Sequence, residues 1–343
     1  MTIIYFILVL GITIMIHELG HFIFAKKAGV YVYEFSLGMG PKLFKFTRKN
    51  DETEYSIRLF PVGGFVSMAG EDMEDEGNIP KEQQLINKKW SQRFMTIIAG
   101  ILFNFILAII LLFVVALING APVLKPTIYS VDPSYPVGQT DIKVGDIITK
   151  INDKKISSQD DLMLELQVNS GKTISIEVNN NETYTVTPTL VTEDGVSSYV
   201  YGFTLDNKVE KGILPAIKYA FLKTGNLVKQ MSHIILYLIT GKLSLSNLSG
   251  PIGIYNVVAE VSSTGILNIL YLIAYLCINV GFINFLPIPA FDGGRILFLI
   301  IEKIKGSKVN PKIENMIHSI GFLLLMILMI VVTYNDIIRI FVK

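Results

Sequence analysis

Four long apolar runs constrain this chain more than any other feature of it. A helix needs about 20 predominantly apolar residues to cross the hydrocarbon of a bilayer. Runs of that kind cover roughly residues 2–24, 94–118, 266–286 and 317–334. Within lipid each backbone polar group must be satisfied by its own segment, so such runs read as helices. Composition agrees: 51% of the 343 residues are hydrophobic and 17% charged, where a soluble domain carries about a quarter charged. The net charge of +1 gives no electrostatic ground for a nucleic-acid partner. The single cysteine, Cys277, excludes an intrachain disulfide and a four-thiolate metal site. Any metal must therefore be held by histidines and carboxylates. The first run has no basic n-region and no small-residue cleavage site, and it continues into Lys26-Lys27. It is expected to be a retained span.

Orientation follows from the basic residues beside the spans. Lys26, Lys27, Lys88, Lys89, Arg93, Arg295, Lys303, Lys305, Lys308 and Lys312 all fall on one side if both termini lie outside. Loops 27–92 and 287–316 are then cytoplasmic, and 119–265 is extracytoplasmic. The chain divides into an N-terminal membrane part (1–119), a small soluble α+β domain (120–206), an amphipathic linker region (207–265) and a C-terminal membrane part (266–343). Within the soluble domain, 127–131, 146–151, 173–178 and 184–190 read as strands. Residues 160–167 suit a helix, with Ser157 or Ser158 near its start. Over 212–240, Ile213, Ile217, Phe221 and Val228 recur at helical spacing, while Lys218, Lys223 and Lys229 interrupt. A mid-bilayer lysine costs about 3 kcal/mol on insertion scales, so a surface-lying helix is expected there. In the first cytoplasmic loop, 42–47 and 54–59 alternate as strands do. Gly38, Gly40, Pro41 and Pro61–Phe65 break them, and an acidic patch follows over 71–76. The expectation is a membrane-associated β-hairpin.

The first span carries His17-Glu18-Leu19-Gly20-His21, an H-E-x-x-H pattern. Four residues along a helix turn about 400° and rise about 6 Å, which puts both imidazoles on one face. Zn²⁺ held there would lower the pKa of a water toward about 7, and Glu18 would take its proton. In a soluble chain this pattern is often a chance match. Within an apolar run, His and Glu are costly and usually functional. Catalytic zinc takes three protein ligands. Asp292 is the candidate third ligand, because Pro287, Pro289, Gly293 and Gly294 allow a tight backbone approach and topology puts it on the histidines' side. The competing role for Asp292 is a helix N-cap before Ile296. His233 and His318 are set aside, the first by topology and the second for lack of a metal-like neighbourhood.

Taken together these motifs resemble the site-2 protease family, in particular the bacterial regulator-of-sigma-E protease group with a single PDZ domain. The matching pieces are His17–His21, Asn284–Gly294, a PDZ-like stretch Lys143–Asn152, the hairpin segments Gly38–Pro41 and Pro61–Phe65, and Gly250-Pro251-Ile252-Gly253. They occur in order over nearly the whole chain. Two positions depart from the family pattern: Ile101 stands where a proline is usual after Ala99-Gly100, ahead of Asn104-Phe105, and Phe291 stands where leucine is usual before Asp292. The resemblance implies a polytopic α-helical membrane protein with an inserted PDZ-like domain. It implies Zn²⁺ on His17, His21 and Asp292, with Glu18 as catalytic base. It also implies that Asn279 and Asn284 engage the substrate. Each asparagine could instead be an interhelical hydrogen-bonding group.

The implied activity is intramembrane cleavage of single-span proteins such as anti-sigma factors and remnant signal peptides, in a bacterial inner membrane. The partners implied are transmembrane substrates and the lipid bilayer, with a peptide as candidate ligand of the PDZ-like groove. A scaffold with structural zinc would have no use for Glu18. A midplane zinc transporter would show repeated halves, which this sequence lacks.

Overall fold

The computed structural model describes residues 2–71, 79–193 and 196–341. In chain order the elements are helix α1 (Thr2–Lys27), strands β1 (Val32–Thr47) and β2 (Glu54–Met68), and helix α2 (Trp90–Asn119). Next come β3 (Ala121–Pro122), β4 (Ile128–Val131), β5 (Ile148–Ile151), β6 (Lys154–Lys155), α3 (Gln159–Val168), β7 (Ile174–Val178) and β8 (Glu182–Val186). Strands β9 (Thr189–Glu193), β10 (Val196–Val200), β11 (Phe203–Leu205) and β12 (Val209–Glu210) precede α4 (Ile213–Ile239). The chain closes with α5 (Pro251–Ser262), α6 (Ile266–Phe285), α7 (Asp292–Lys305) and α8 (Pro311–Phe341). Among the described residues, α1, α2, α6 and most of α8 are long and apolar enough to cross a membrane. The chain forms two compact units, one of residues 1–111 with 245–343 and one of residues 112–244.

In the first unit α1 packs on α5, α6 and β2. Gly20 of α1 meets α2 so closely that a Cβ there would collide with the Ala99 carbonyl. Lys26 and Lys27 occupy the last turn of α1, where cations complement the helix dipole. Strands β1 and β2 are longer than the alternating stretches that announce them. Both bend: Gly38, Gly40 and Gly63 all have φ between 85° and 97°, a region glycine enters without steric cost. As a result Phe35 pairs with both Val66 and Tyr55, and Phe46 pairs with Tyr55 as well. Four segments therefore lie side by side in the order 64–68, 32–37, 54–57, 42–47. Segment 64–68 forms one edge of this ladder and runs beside α1, where Gly64 passes near Glu18. Beyond the bend, Met39, Leu43, Phe44, Phe46, Leu59 and Phe60 are exposed. Of the acidic stretch 71–76, only Glu71 is among the described residues.

Helix α5 was not anticipated. Pro251 at its first position suits the fixed φ of a helix start. Its exposed N–H groups are met from α8, where the buried Asp336 accepts from the amides of Gly250 and Gly253 at 2.9 Å each.

In the second unit, a sheet in the order β6-β5-β7-β8 buries Ile148, Ile151, Ile174, Ile176, Val178 and Val186 against Leu162 of α3. The run 184–190 is two strands rather than one, because Pro188 has no N–H to give a ladder. Ser158 caps α3 by accepting from the Asp161 amide at 3.1 Å. Helix α4 is continuous from 213 to 239 and turns its polar side to α3. Lys223 pairs with Asp160 at 2.6 Å, Lys229 with Asp161 at 2.7 Å, and the Tyr237 hydroxyl donates to Glu165. Leu214, Ile217, Phe221, Leu222, Leu236 and Ile239 are exposed.

Candidate metal centre

Helical spacing in α1 stacks His17 and His21 one turn apart, with ring centroids 4.8 Å from each other. Their Nε2 atoms are 3.2 Å apart. The loop between α6 and α7 brings the third group. Leu286 ends α6 in an extended conformation before Pro287, and Ala290 takes φ 89°. Gly294 passes so close to the Ile288 carbonyl that a Cβ would lie 2.7 Å from it. This path delivers Asp292 as the first residue of α7, with Phe291 as the N-cap. The Asp292 carboxylate makes no capping bond. Its Oδ2 lies 3.0 Å from His17 Nε2 and 3.3 Å from His21 Nε2, so the two distant motifs converge.

The three atoms form a triangle with sides of 3.0, 3.2 and 3.3 Å. Ligands about 2.0–2.1 Å from a tetrahedral zinc stand roughly 3.3 Å apart, so the triangle has the size such an ion requires. Asp292 Oδ2 is buried and accepts no hydrogen bond in spite of its two close nitrogens. An oxygen that converges on the same point as the nitrogens, rather than along an N–H, behaves this way. Two imidazoles and one carboxylate also match the donor sets of catalytic zinc sites that keep a position open.

The histidine rings are held from α2. His21 Nδ1 is 2.8 Å from the main-chain oxygen of Thr96, and His17 Nδ1 is 3.2 Å from the side-chain amide of Asn104. Gly100 lies between these two positions on the helix, and a Cβ there would overlap the His21 ring. Thr96, Gly100 and Asn104 recur every four residues, a small and polar stripe on one face of an otherwise apolar helix. That stripe is the signal available in the sequence, where Asn104 enters only through the family's second-span pattern and Thr96 not at all. His318 was also passed over. Its Nδ1 accepts from the Ala290 amide at 3.2 Å, and Pro289 lies where a Cβ on Gly321 of α8 would be. Helix α8 thus braces the loop that carries Asp292.

A cavity of about 430 Å³ opens on the three candidate ligands. Glu18, Phe65, Val66, Met68, Asn284 and Arg295 line it as well. Glu18 is half-buried, beside the two histidines on α1. Arg295, one turn after Asp292, pairs with Glu71. Asn279 is partly buried on α6 and is not among the lining residues.

The family model of peptidase family M50 matches residues 5–328. The regulator of sigma-W protease RasP of Bacillus subtilis (strain 168) is 34% identical, over 99% of each chain. The zinc metalloprotease RasP of Oceanobacillus iheyensis is 32% identical over 99% of each chain. That of Geobacillus kaustophilus is 33% identical over 99% of this chain and 98% of its own. With four apolar helices and a histidine–histidine–aspartate cluster of metal-binding size, the chain belongs to peptidase family M50 and is a multi-pass bacterial membrane zinc metalloprotease.

Proposed function

We propose that the protein cleaves transmembrane segments of single-span membrane proteins, with His17, His21 and Asp292 holding the zinc and Glu18 acting as the base. The observation that carries this reading is the ligand-sized triangle with Glu18 beside it in one cavity. A bound zinc ion supplies Lewis acidity that brings a water toward neutral pKa and polarises a carbonyl. Glu18 takes the proton of the attacking water and passes it to the leaving amide nitrogen. Asn284 donates its amide to the scissile carbonyl or the neighbouring backbone. Asn279 serves the substrate helix from α6, outside the cavity lining.

A peptide bond in a helix is protected by its own hydrogen bonds, so the substrate must unwind to be cut. Segment 64–68 is an edge among the described residues and contributes Phe65, Val66 and Met68 to the cavity. An unwound substrate strand can pair along this edge and satisfy its backbone there. The exposed apolar tip of the bent ladder sits in the lipid boundary. Residues 120–206 form the PDZ-like domain, whose groove takes a peptide or filters substrates by size. Residues 207–265 form the amphipathic region that follows it. The name of the Bacillus subtilis relative, regulator of sigma-W protease, favours anti-sigma factors as substrates, with remnant signal peptides as a second class. The basic flanks of the spans favour a cytoplasmic zinc side and an extracytoplasmic PDZ-like domain.

Replacing Glu18 by Gln tests the chemistry. The purified variant keeps its zinc and loses cleavage of a single-span substrate by at least about 10³-fold; cutting at the wild-type rate would refute the assignment. Orientation is tested separately in intact cells of a Cys277→Ser background. A membrane-impermeant maleimide labels Asn180→Cys and spares Lys308→Cys, and the opposite pattern reverses the topology.

A further inference from the structure

Asn104 is fully buried in the middle of α2, at a depth where a polar side chain is costly unless it is used. The amide nitrogen stands 3.2 Å from His17 Nδ1, while the amide oxygen has no hydrogen-bond partner. With the amide turned this way, its N–H donates to Nδ1. His17 must then carry its own proton on Nε2, the atom aimed at Asp292 and His21. An amide turned by 180° has nearly the same shape, so the two orientations are told apart by hydrogen bonding alone. In the turned orientation the orphaned oxygen accepts from Nδ1–H, and Nε2 keeps a lone pair directed at the point shared with the other two ligand atoms.

His21 supplies the parallel. Its Nδ1 faces the carbonyl oxygen of Thr96 at 2.8 Å, an atom that can only accept. That contact calls for a proton on Nδ1, which in the neutral ring leaves the lone pair on Nε2. The Thr96 carbonyl and the Asn104 side chain lie on the same face of α2, two turns apart, with Gly100 between them making room for the rings. On the far side Asn104 is backed by α6, where a Cβ on Gly281 would come within 3.5 Å of its Cβ.

We infer that Asn104 is a positioning residue whose side-chain oxygen accepts a hydrogen bond from Nδ1–H of His17, fixing the tautomer that frees Nε2 to bind zinc. This rests on the ligand set proposed above. Partners of this kind raise the basicity of a ligand and hold its ring in plane with the metal, and their loss typically weakens metal affinity about 10–100-fold. The role needs an acceptor, so it distinguishes the residue from a polar group that merely ties two helices together. A carboxylate at the same place accepts equally well, and an apolar side chain of similar size does not accept at all.

The experiment is a zinc-affinity measurement by chelator competition on the full-length protein in detergent, with the melting temperature of the metal-free form as folding control. Asn104→Leu weakens zinc about 10–100-fold at an unchanged metal-free melting temperature. Asn104→Asp stays within a few-fold of wild type. Should Asn104→Leu fail to fold, Asn104→Ala takes its place with the same outcome. Wild-type affinity in the folded Leu or Ala variant overturns the inference, and so does an Asp variant weakened as much as they are. His17→Ala separates the two levels. If it loses zinc while Asn104→Leu does not, the ligand set stands and only the role of Asn104 falls. If His17→Ala binds zinc as wild type does, the ligand set itself is wrong and the inference falls with it.

Discussion

Helices α2 and α4 invite comparison, because both are long, both are rich in apolar residues, and both turn polar groups toward buried surroundings. Along the stripe of α2 that faces the histidines those groups are neutral. Thr96 offers a backbone carbonyl and Asn104 an amide, and each meets an imidazole. In α4 they are charged. Lys223 and Lys229 meet Asp160 and Asp161, two adjacent carboxylates on α3. The difference follows from what surrounds each helix. An apolar span tolerates a few neutral polar groups where they bond across to a neighbouring helix. Two lysines need matched carboxylates close by, and a folded α+β unit supplies them. Hydropathy separates the two, with α2 among the candidate spans and α4 outside them, although the polar side of each faces inward.

The comparison makes a functional claim: the buried stripe of α2 acts on the metal, while that of α4 acts on stability. The severest test is Gly100→Ala. The added methyl overlaps the His21 ring at Nε2, and any shift of the ring away from it strains the Nδ1 contact with Thr96. Zinc affinity should fall by about 100-fold or more, the upper end of what ligand-orienting contacts are worth, and proteolysis should fall with it. Zinc content after dialysis reads the first and cleavage of a single-span substrate reads the second. A Gly100→Ala protein with normal zinc content would end the assignment of α2 to the metal centre.

What the sequence discloses divides along the same line. His17 and His21 are legible because their relation is local: four residues on a helix leave no choice of face. The spans are legible because length and apolarity alone demand them, though capping and turn residues carry α2 from Trp90 to Asn119 and α8 from Pro311 to Phe341, beyond the apolar runs. The convergence of Asp292 on the histidines is a tertiary fact. Its flanking prolines and glycines announce an unusual loop, but the carboxylate could have been a helix cap until its distances to both rings were known. The same holds for His318, whose bond to the Ala290 amide has no local signature. The lysines of α4 were readable as interruptions of an apolar run. Their partners lie 63 and 68 residues earlier in the chain, so the side they face was not readable. The bends of β1 and β2 also escaped, since alternation shows a strand and does not show where glycine lets it turn.

A smaller effect probes α4. Asp161 is almost completely buried, and burial alone would raise its carboxyl. The Lys229 ammonium and the Ser157 hydroxyl and amide outweigh that and hold it below the ordinary carboxylate range. A carboxyl lowered on folding contributes stability that is complete above its unfolded value, near about 4, and is lost as pH falls through the folded value. Lys229→Met takes away the largest of the favourable contacts and leaves the carboxylate buried with Ser157 alone. Because the lysine is partly exposed, water screens some of the pair, and the cost at neutral pH should be about 1–2 kcal/mol. Below pH 4 protonation of Asp161 relieves the variant and withdraws the benefit from wild type, so the gap between their melting temperatures should close. Zinc affinity should be the same in both proteins at neutral pH. A gap that stays constant down to strongly acidic pH would mean that Lys229 stabilises α4 by packing its methylenes on α3 rather than by its charge. A change in zinc affinity would mean that α4, like α2, reaches the metal.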